Sequence, residues 1–206
     1  MLPGSDYLIA CPHCSQKAKK RSLLSANTFG AKIWSDGFML AMMYPDLPDV
    51  VRCKNCRGFY HSCEATVLKE ISLYDDSGEY DEIEYIAHLV WEDYPEALDS
   101  KVVNNPDIEF CVRRRYWWAM NHFYRRKPKA DEIPDWNTET YNKNAERLLG
   151  LCQGDNHLLQ AELLRNLGEF DVCLNTLKDA DNEPKSFANQ IIKQARKKNK
   201  IVFLFE

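Results

Sequence analysis

Cys11-Pro12-His13-Cys14 and Cys53-Lys54-Asn55-Cys56 are the two stretches on which the reading of this chain turns. Each is a C-x-x-C step, which presents two thiols on one side of a tight turn. The two steps lie 38 residues apart and together supply four sulfur donors. Four thiolates suit a tetrahedral ion of borderline softness such as zinc. The spacing predicts one structural Zn2+ per chain on Cys11, Cys14, Cys53 and Cys56. Four protein ligands leave no position for water or substrate, so such a site holds a fold together and does no chemistry. In small peptides it is worth roughly 10–16 kcal/mol at neutral pH, and a short head with few long strands depends on it. His13, His61 and Cys63 lie close enough in sequence to replace one of the four.

Arg57-Gly58 follows the second step, and a glycine there permits the tight turn of a knuckle. With it, residues 7–62 resemble the zinc-ribbon superfamily. That resemblance implies two knuckles on neighbouring hairpins sharing one ion. The stretch between the steps is longer than in compact ribbons, so an inserted hairpin or loop is expected. Taken alone, Cys11-Pro12-His13-Cys14 also resembles the redox motif of thioredoxin-fold disulfide oxidases, whose first cysteine is a low-pKa nucleophile. Those proteins need a βαβ frame that this chain does not show, and they have no use for a second C-x-x-C.

Outward from the cysteines, Tyr7–Ala10 is a short apolar run leading into the first step. Thr28–Trp34 is aromatic and β-branched and ends at the turn signal Ser35-Asp36-Gly37. Phe38–Tyr44 is a second apolar run, expected in the core, with a methionine-rich partner surface as the alternative. Pro45 and Pro48 then precede Val50-Val51-Arg52. An acidic stretch containing the turn Asp75-Asp76-Ser77-Gly78 suggests a boundary near residue 74. Beyond it the period becomes helical. Helices are predicted over about 92–103, 106–124, 138–152, 156–167, 170–180 and 184–198. Asn105 caps the second with Pro106 at its first position, and Ile108, Val112, Tyr116, Ala119 and Phe123 form its apolar stripe. A loop is expected between Pro128 and Pro134, and Ile201–Phe205 reads as a strand or a packed tail. The expected class is α+β: a small β-rich zinc-ribbon-like head over 1–73, an acidic linker or edge segment over 74–90, and a mainly α-helical domain over 91–206.

Residues 157–184 resemble a tetratricopeptide repeat. Gly168-Glu169-Phe170-Asp171, Cys173, Leu177, Ala180 and Pro184 carry the match, with Ala161 and Leu164 at packing positions of the first helix. His157 and Gln160 depart from the tryptophan and leucine usual there. The resemblance implies a helical hairpin whose groove binds a peptide or protein, and a single repeat needs neighbours to bury its faces. The layout as a whole resembles a group of uncharacterised bacterial proteins, which implies no activity.

A second candidate surface is basic and aromatic: Arg113-Arg114-Arg115-Tyr116-Trp117-Trp118, followed by Arg125-Arg126-Lys127. Arginine binds phosphate and aromatics stack on bases, so Arg113, Arg114, Arg115, Trp117, Arg125 and Arg126 are candidate contacts for nucleic acid or another partner. Against this stands the charge pattern: residues 71–109 carry a net −11 immediately before a net +7 over 110–130, in a chain of net −4. Neighbouring blocks of opposite sign neutralise one another within a fold. Tyr116 lies on the apolar stripe and Trp118 on its border.

With 45% apolar and 28% charged residues, the composition is that of a globular protein. No apolar run is long enough for a membrane helix, and no secretory signal opens the chain. The cytosol is the expected compartment. There the lone cysteines Cys111, Cys152 and Cys173 are read as small buried apolar residues. No Gly-rich phosphate loop, H-E-x-x-H or G-x-S-x-G appears, and no catalytic residue is assigned. The expectation is a non-enzymatic adaptor that binds a protein or peptide. The rival is a nucleic-acid factor using Arg113–Arg115, and a thiol redox protein comes third.

Overall fold

The computed structural model describes residues 1–75, 77–126, 137–152, 154, 156–179 and 184–206, and its class is α+β. The loop expected between Pro128 and Pro134, Lys127 of the basic run and Ala180 of the repeat lie outside the described residues. The described strands are β1 (Leu2–Pro3), β2 (Asp6–Ala10), β3 (Lys17–Lys20), β4 (Leu23–Ser25), β5 (Lys32–Ile33), β6 (Met39–Leu40), β7 (Val50–Arg52), β8 (Phe59–His61) and β9 (Thr66–Ile71). The helices are α1 (Tyr94–Leu98), α2 (Pro106–Arg125), α3 (Asn137–Leu151), α4 (His157–Leu167), α5 (Phe170–Thr176) and α6 (Lys185–Arg196). They form two compact units, each from two segments: Met1–Ala31 with Ala41–Asn104, and Lys32–Leu40 with Asn105–Glu206. The chain between the two C-x-x-C steps therefore serves both units, and the boundary expected near residue 74 falls inside the first.

In the first unit β2 is the central strand. It pairs antiparallel with β3 from Tyr7↔Lys20 to Ala10↔Lys17, and with β9 from Asp6↔Ile71 to Ala10↔Thr66. Successive side chains of a strand point to opposite faces. Ile9 accordingly packs with Val51, Tyr60 and Ala65 on one side, and Leu8 with Ile71 and Tyr80 on the other. A second hairpin pairs β7 with β8, Val50↔His61 to Arg52↔Phe59. Part of the acidic stretch covers the outer edge of β3. There Lys19 N donates to Glu84 O at 2.8 Å, and Ile86 N donates to Lys19 O at 2.9 Å. Covering an edge in this way removes a template for unwanted strand pairing. The helix expected to reach Val103 stops at Leu98, because Ser100 Oγ donates to Ala97 O at 2.7 Å and diverts the backbone into a turn.

The second unit opens with the β5–β6 hairpin, which turns at Ser35-Asp36-Gly37 with Gly37 left-handed (φ 76°). The C-terminal tail lies along β5: Ser35 N donates to Phe203 O at 2.8 Å and Phe205 N to Ile33 O at 2.9 Å. Asn105 caps α2, its Oδ1 accepting from Ile108 N at 2.9 Å. Ala161, Leu164, Cys173, Leu177, Ala188, Ile191 and Ala195 form a core among α4, α5 and α6. Gly168 (φ 95°) ends α4, and Glu169 N donates back to Leu164 O at 2.9 Å, closing a helical hairpin. The second helix of that hairpin runs only from Phe170 to Thr176 before tightening into a 3-10 turn at Leu177–Asp179.

Three expectations are corrected. The buried side of α2 is Val112, Tyr116, Trp117, Met120 and Asn121, turned from the expected stripe because Trp117 and Asn121 find buried hydrogen-bond partners. Cys111, one residue before Val112, is exposed; Cys152 is half-buried and Cys173 buried. The run Phe38–Tyr44 is no core strand. Ala41 is buried, but Leu40, Met42, Met43 and Tyr44 are exposed, because the chain crosses between units at Ala41.

Candidate metal centre

Both C-x-x-C steps are the turns of hairpins, and the two turns have the same hydrogen bonds. In the first, Cys11 N donates to Gln16 O and Ser15 N to Cys11 O, both at 2.9 Å; in the second, Cys53 N donates to Gly58 O and Arg57 N to Cys53 O, again at 2.9 Å. The residue after each second cysteine is left-handed, Ser15 at φ 61° and Arg57 at φ 60°. The tight turn is thus made by Arg57. Gly58 serves a different need, a close approach. A Cβ there would lie 2.8 Å from His13 Cδ2, and the His13 ring is fixed by donating from Nε2 to Phe59 O at 2.9 Å. Gly58→Ala is therefore expected to displace that ring and destabilise the first unit by about 1–2 kcal/mol, from the lost hydrogen bond and overpacking. Denaturant unfolding would read it, and a loss under ~0.5 kcal/mol would contradict the packing argument.

The four Sγ atoms lie within 4.8 Å of one another. Cys11 and Cys56 Sγ are 3.8 Å apart, and Cys14 and Cys53 Sγ 3.6 Å. A tetrahedral ion with bonds of about 2.3 Å to sulfur sets its ligands about 3.8 Å apart. The donor set and its spacing fit one metal ion such as zinc. Two N–H groups point at sulfur: His13 N to Cys11 Sγ at 3.4 Å, and Asn55 Nδ2, from the opposite turn, to Cys14 Sγ at 3.6 Å. The Asn55 contact draws the Cys14 thiol down to about 6, while burial pushes Cys11 up to about 12. Burial also raises Tyr60, beneath the site, to about 12. None of the three possible substitutes joins the cluster. His13 Nε2 is spent on Phe59 O, His61 Nε2 lies 3.1 Å from Val102 O, and Cys63 is exposed.

The basic aromatic helix is largely turned inward. Trp117 is fully buried, its Nε1 donating to Tyr141 Oη at 2.7 Å. Arg125 is buried against Asp36. Arg113 Nε donates to Glu109 Oε1 at 2.7 Å, and Arg114 lies over the rings of Phe110 and Trp118. Arg115 is half-buried, while Arg126 is exposed with Nη2 3.1 Å from His122 Nε2. Glu109 also holds Arg147 of α3, through Oε1 and Oε2 at 2.8 and 2.7 Å. Arg147 and then Arg113 hold its carboxyl down at about 2. A carboxyl depressed in the folded state stabilises fully above its unfolded value, near 4.5, and loses that contribution as pH falls towards 2. Glu109→Gln is expected to flatten the fall in melting temperature across that window; an unchanged acid limb would refute the pairing.

Sequence reading missed a polar network inside the second unit. Asp36, Asn121, Tyr141, Asn166, Glu162 and Arg165 are joined in that order. Asn121 Nδ2 donates to Asp36 Oδ2 at 2.9 Å, and Tyr141 Oη lies 2.9 Å from Asn121 Oδ1 and 2.8 Å from Asn166 Oδ1. Asn166 Nδ2 donates to Glu162 Oε1 at 3.1 Å, and Arg165 pairs with Glu162 through Nε at 2.8 Å and Nη2 at 2.5 Å. Ser35 Oγ, from the same turn as Asp36, donates to Glu162 Oε1 at 2.6 Å and closes the network on itself. Burial holds the Tyr141 hydroxyl protonated far above its ordinary range, so its single proton serves one amide oxygen at a time. No spacing signal marks these residues, which come from three helices and a turn.

No family model matches the chain, and no curated protein or solved structure shows significant similarity to it.

Proposed function

We propose that the chain is a non-enzymatic adaptor whose first unit is built around one structural zinc ion on Cys11, Cys14, Cys53 and Cys56. The observation that carries this reading is the pair of matching turns that set four thiols at tetrahedral spacing. When bound, zinc supplies a fourfold cross-link, its shell filled by sulfur. His13 and Asn55 orient and stabilise the thiolates through N–H···S contacts, as outer partners of metal ligands do. Beside the second turn, still within the first unit, lies a cleft of about 960 Å³ bordered by Lys17, Arg52, Tyr60, Ile83, Tyr85 and Leu89. That is the size range of ligand clefts, and it supports a peptide segment of a protein as the partner. The helical hairpin of α4 and α5 is a second candidate surface for that partner. Reduced thiols of this kind belong in the cytosol.

The test is elemental analysis of purified protein with a thiol count before and after denaturation. One zinc per chain and four protected thiols support the reading. Absence of metal with Cys11 and Cys14 joined as a disulfide would sink it in favour of thiol redox chemistry. For the adaptor role, a partner captured by the native protein should be lost on Lys54→Glu at the cleft and retained by Lys193→Gln, far from it in sequence.

A further inference from the structure

Among the described residues of the second unit, α6 and the few residues after it carry a dense run of exposed positive charge. From Pro184 to Phe205 the chain carries Lys185, Lys193, Arg196, Lys197, Lys198 and Lys200 and no acidic residue. At about 100° per residue, Lys185, Asn189, Lys193, Arg196 and Lys197 fall within about 120° of the helix circumference. Ala188, Ile191 and Ala195 are buried on the other side. All six cations are exposed. Lys200 is engaged, its Nζ donating to Leu167 O at 3.0 Å. The side chains of Lys193, Arg196, Lys197 and Lys198 have no hydrogen bond or ion pair among the described residues. Asp181 and Glu183 precede this segment in sequence, and beyond its end the Glu206 backbone is tied to Gln190 at 3.1 and 3.3 Å.

Lys198 extends the row past the last turn of the helix. It sits at φ 55° in the left-handed position that ends the helix, where Asn199 N donates back to Gln194 O at 3.1 Å. Glycine is the residue favoured there, and a side chain at that backbone conformation is strained.

The apolar face of α6 is used up in the core, so the helix cannot lie in a bilayer by burying it. No aromatic stands on the basic face to stack on bases. What remains is a row of cations that rises about 18 Å from Lys185 to Lys197. That is about five phosphate steps of a duplex strand. We propose that this face of α6, with Lys198 at its end, binds the phosphate backbone of a nucleic acid without reading sequence. The site is independent of the cysteine cluster and of the cleft beside it, and of the inward-turned arginines of α2.

The test is fluorescence polarisation of a labelled mixed-sequence DNA duplex with the full chain, between about 50 and 200 mM salt. Four phosphate contacts give a slope of log affinity on log salt of about −3 to −4. The combined variant K193Q/R196Q/K197Q/K198Q should lose affinity by about tenfold or more at the low-salt end and flatten the slope, with its circular dichroism melt no lower than native. Lys198→Gly should melt higher and bind more weakly. The proposal is overturned if the native chain does not bind at low salt, or if the fourfold variant keeps native affinity and slope. It is equally overturned if polyglutamate or phosphatidylserine vesicles bind as tightly as the duplex, or if Lys198→Gly melts higher with affinity unchanged.

Discussion

Cys11→Ser and Cys53→Ser are each expected to release the metal and unfold the first unit while most helical signal from α2–α6 survives. The two turns have little else to hold them: β7 and β8 are three residues each, and the core at their base is Ile9, Val51, Tyr60 and Ala65 together with two of the cysteines themselves. Structural zinc in zinc-finger peptides contributes roughly 10–16 kcal/mol, as much as the usual stability of a whole domain. If zinc is the resident ion, loss of one of four thiolates would therefore remove the largest single contribution to this unit. The check is metal content together with a circular dichroism melt. A chelator such as EDTA should reproduce the effect on the native chain, and acid should as well, since thiolates must lose their protons to bind metal. A melt of the whole protein unchanged by both substitutions would refute the structural role.

The second large effect is expected at Asp36. Its carboxylate is completely buried, pairs with the almost fully buried guanidinium of Arg125, and accepts from Asn121. Its backbone oxygen accepts from Trp118 Nε1 at 2.9 Å. Breaking a buried pair leaves the other charge uncompensated, which costs about 3–5 kcal/mol. Asp36→Ala should destabilise the second unit by that amount in denaturant unfolding. Burial already draws the Arg125 guanidinium down against the pull of Asp36, so the cost falls on arginine left without its acid. Adding Arg125→Met to Asp36→Ala should recover most of the loss, because an apolar pair of similar volume has no charge to strand. A single variant within ~1 kcal/mol of native, or a double variant worse than the single, would contradict this account.

These two sites were legible in the sequence to very different degrees. Cys11, Cys14, Cys53 and Cys56 announce themselves, because a metal turn is a local object: two thiols three residues apart, on a backbone path the turn itself sets. The two C-x-x-C hairpin turns appear for the same reason, and so does the cap at Asn105-Pro106. The helix order after residue 105 was readable from a 3.6-residue period. What was misread needed partners distant along the chain. Ser35-Asp36-Gly37 was correctly a turn, but nothing local says that its carboxylate is buried against Arg125, 89 residues later. Trp117 and Arg125 looked like a contact surface because arginine and tryptophan have the composition of one; the structure spends them on Tyr141 and Asp36. No local signal marks Glu162 and Arg165, which are fully buried because the C-terminal tail brings the carbonyls of Asn199 and Ile201 onto Arg165.

The sequence by itself determined the four-cysteine cluster, the α+β class and the positions of most helices, since each rests on local pattern and spacing. Only the tertiary structure decided that residues 32–40 belong with the helices, that Trp117 and Arg125 of α2 face inward, and that free positive charge remains on α6. Those outcomes depend on which distant groups meet, and burying a charge requires a partner that local pattern cannot name.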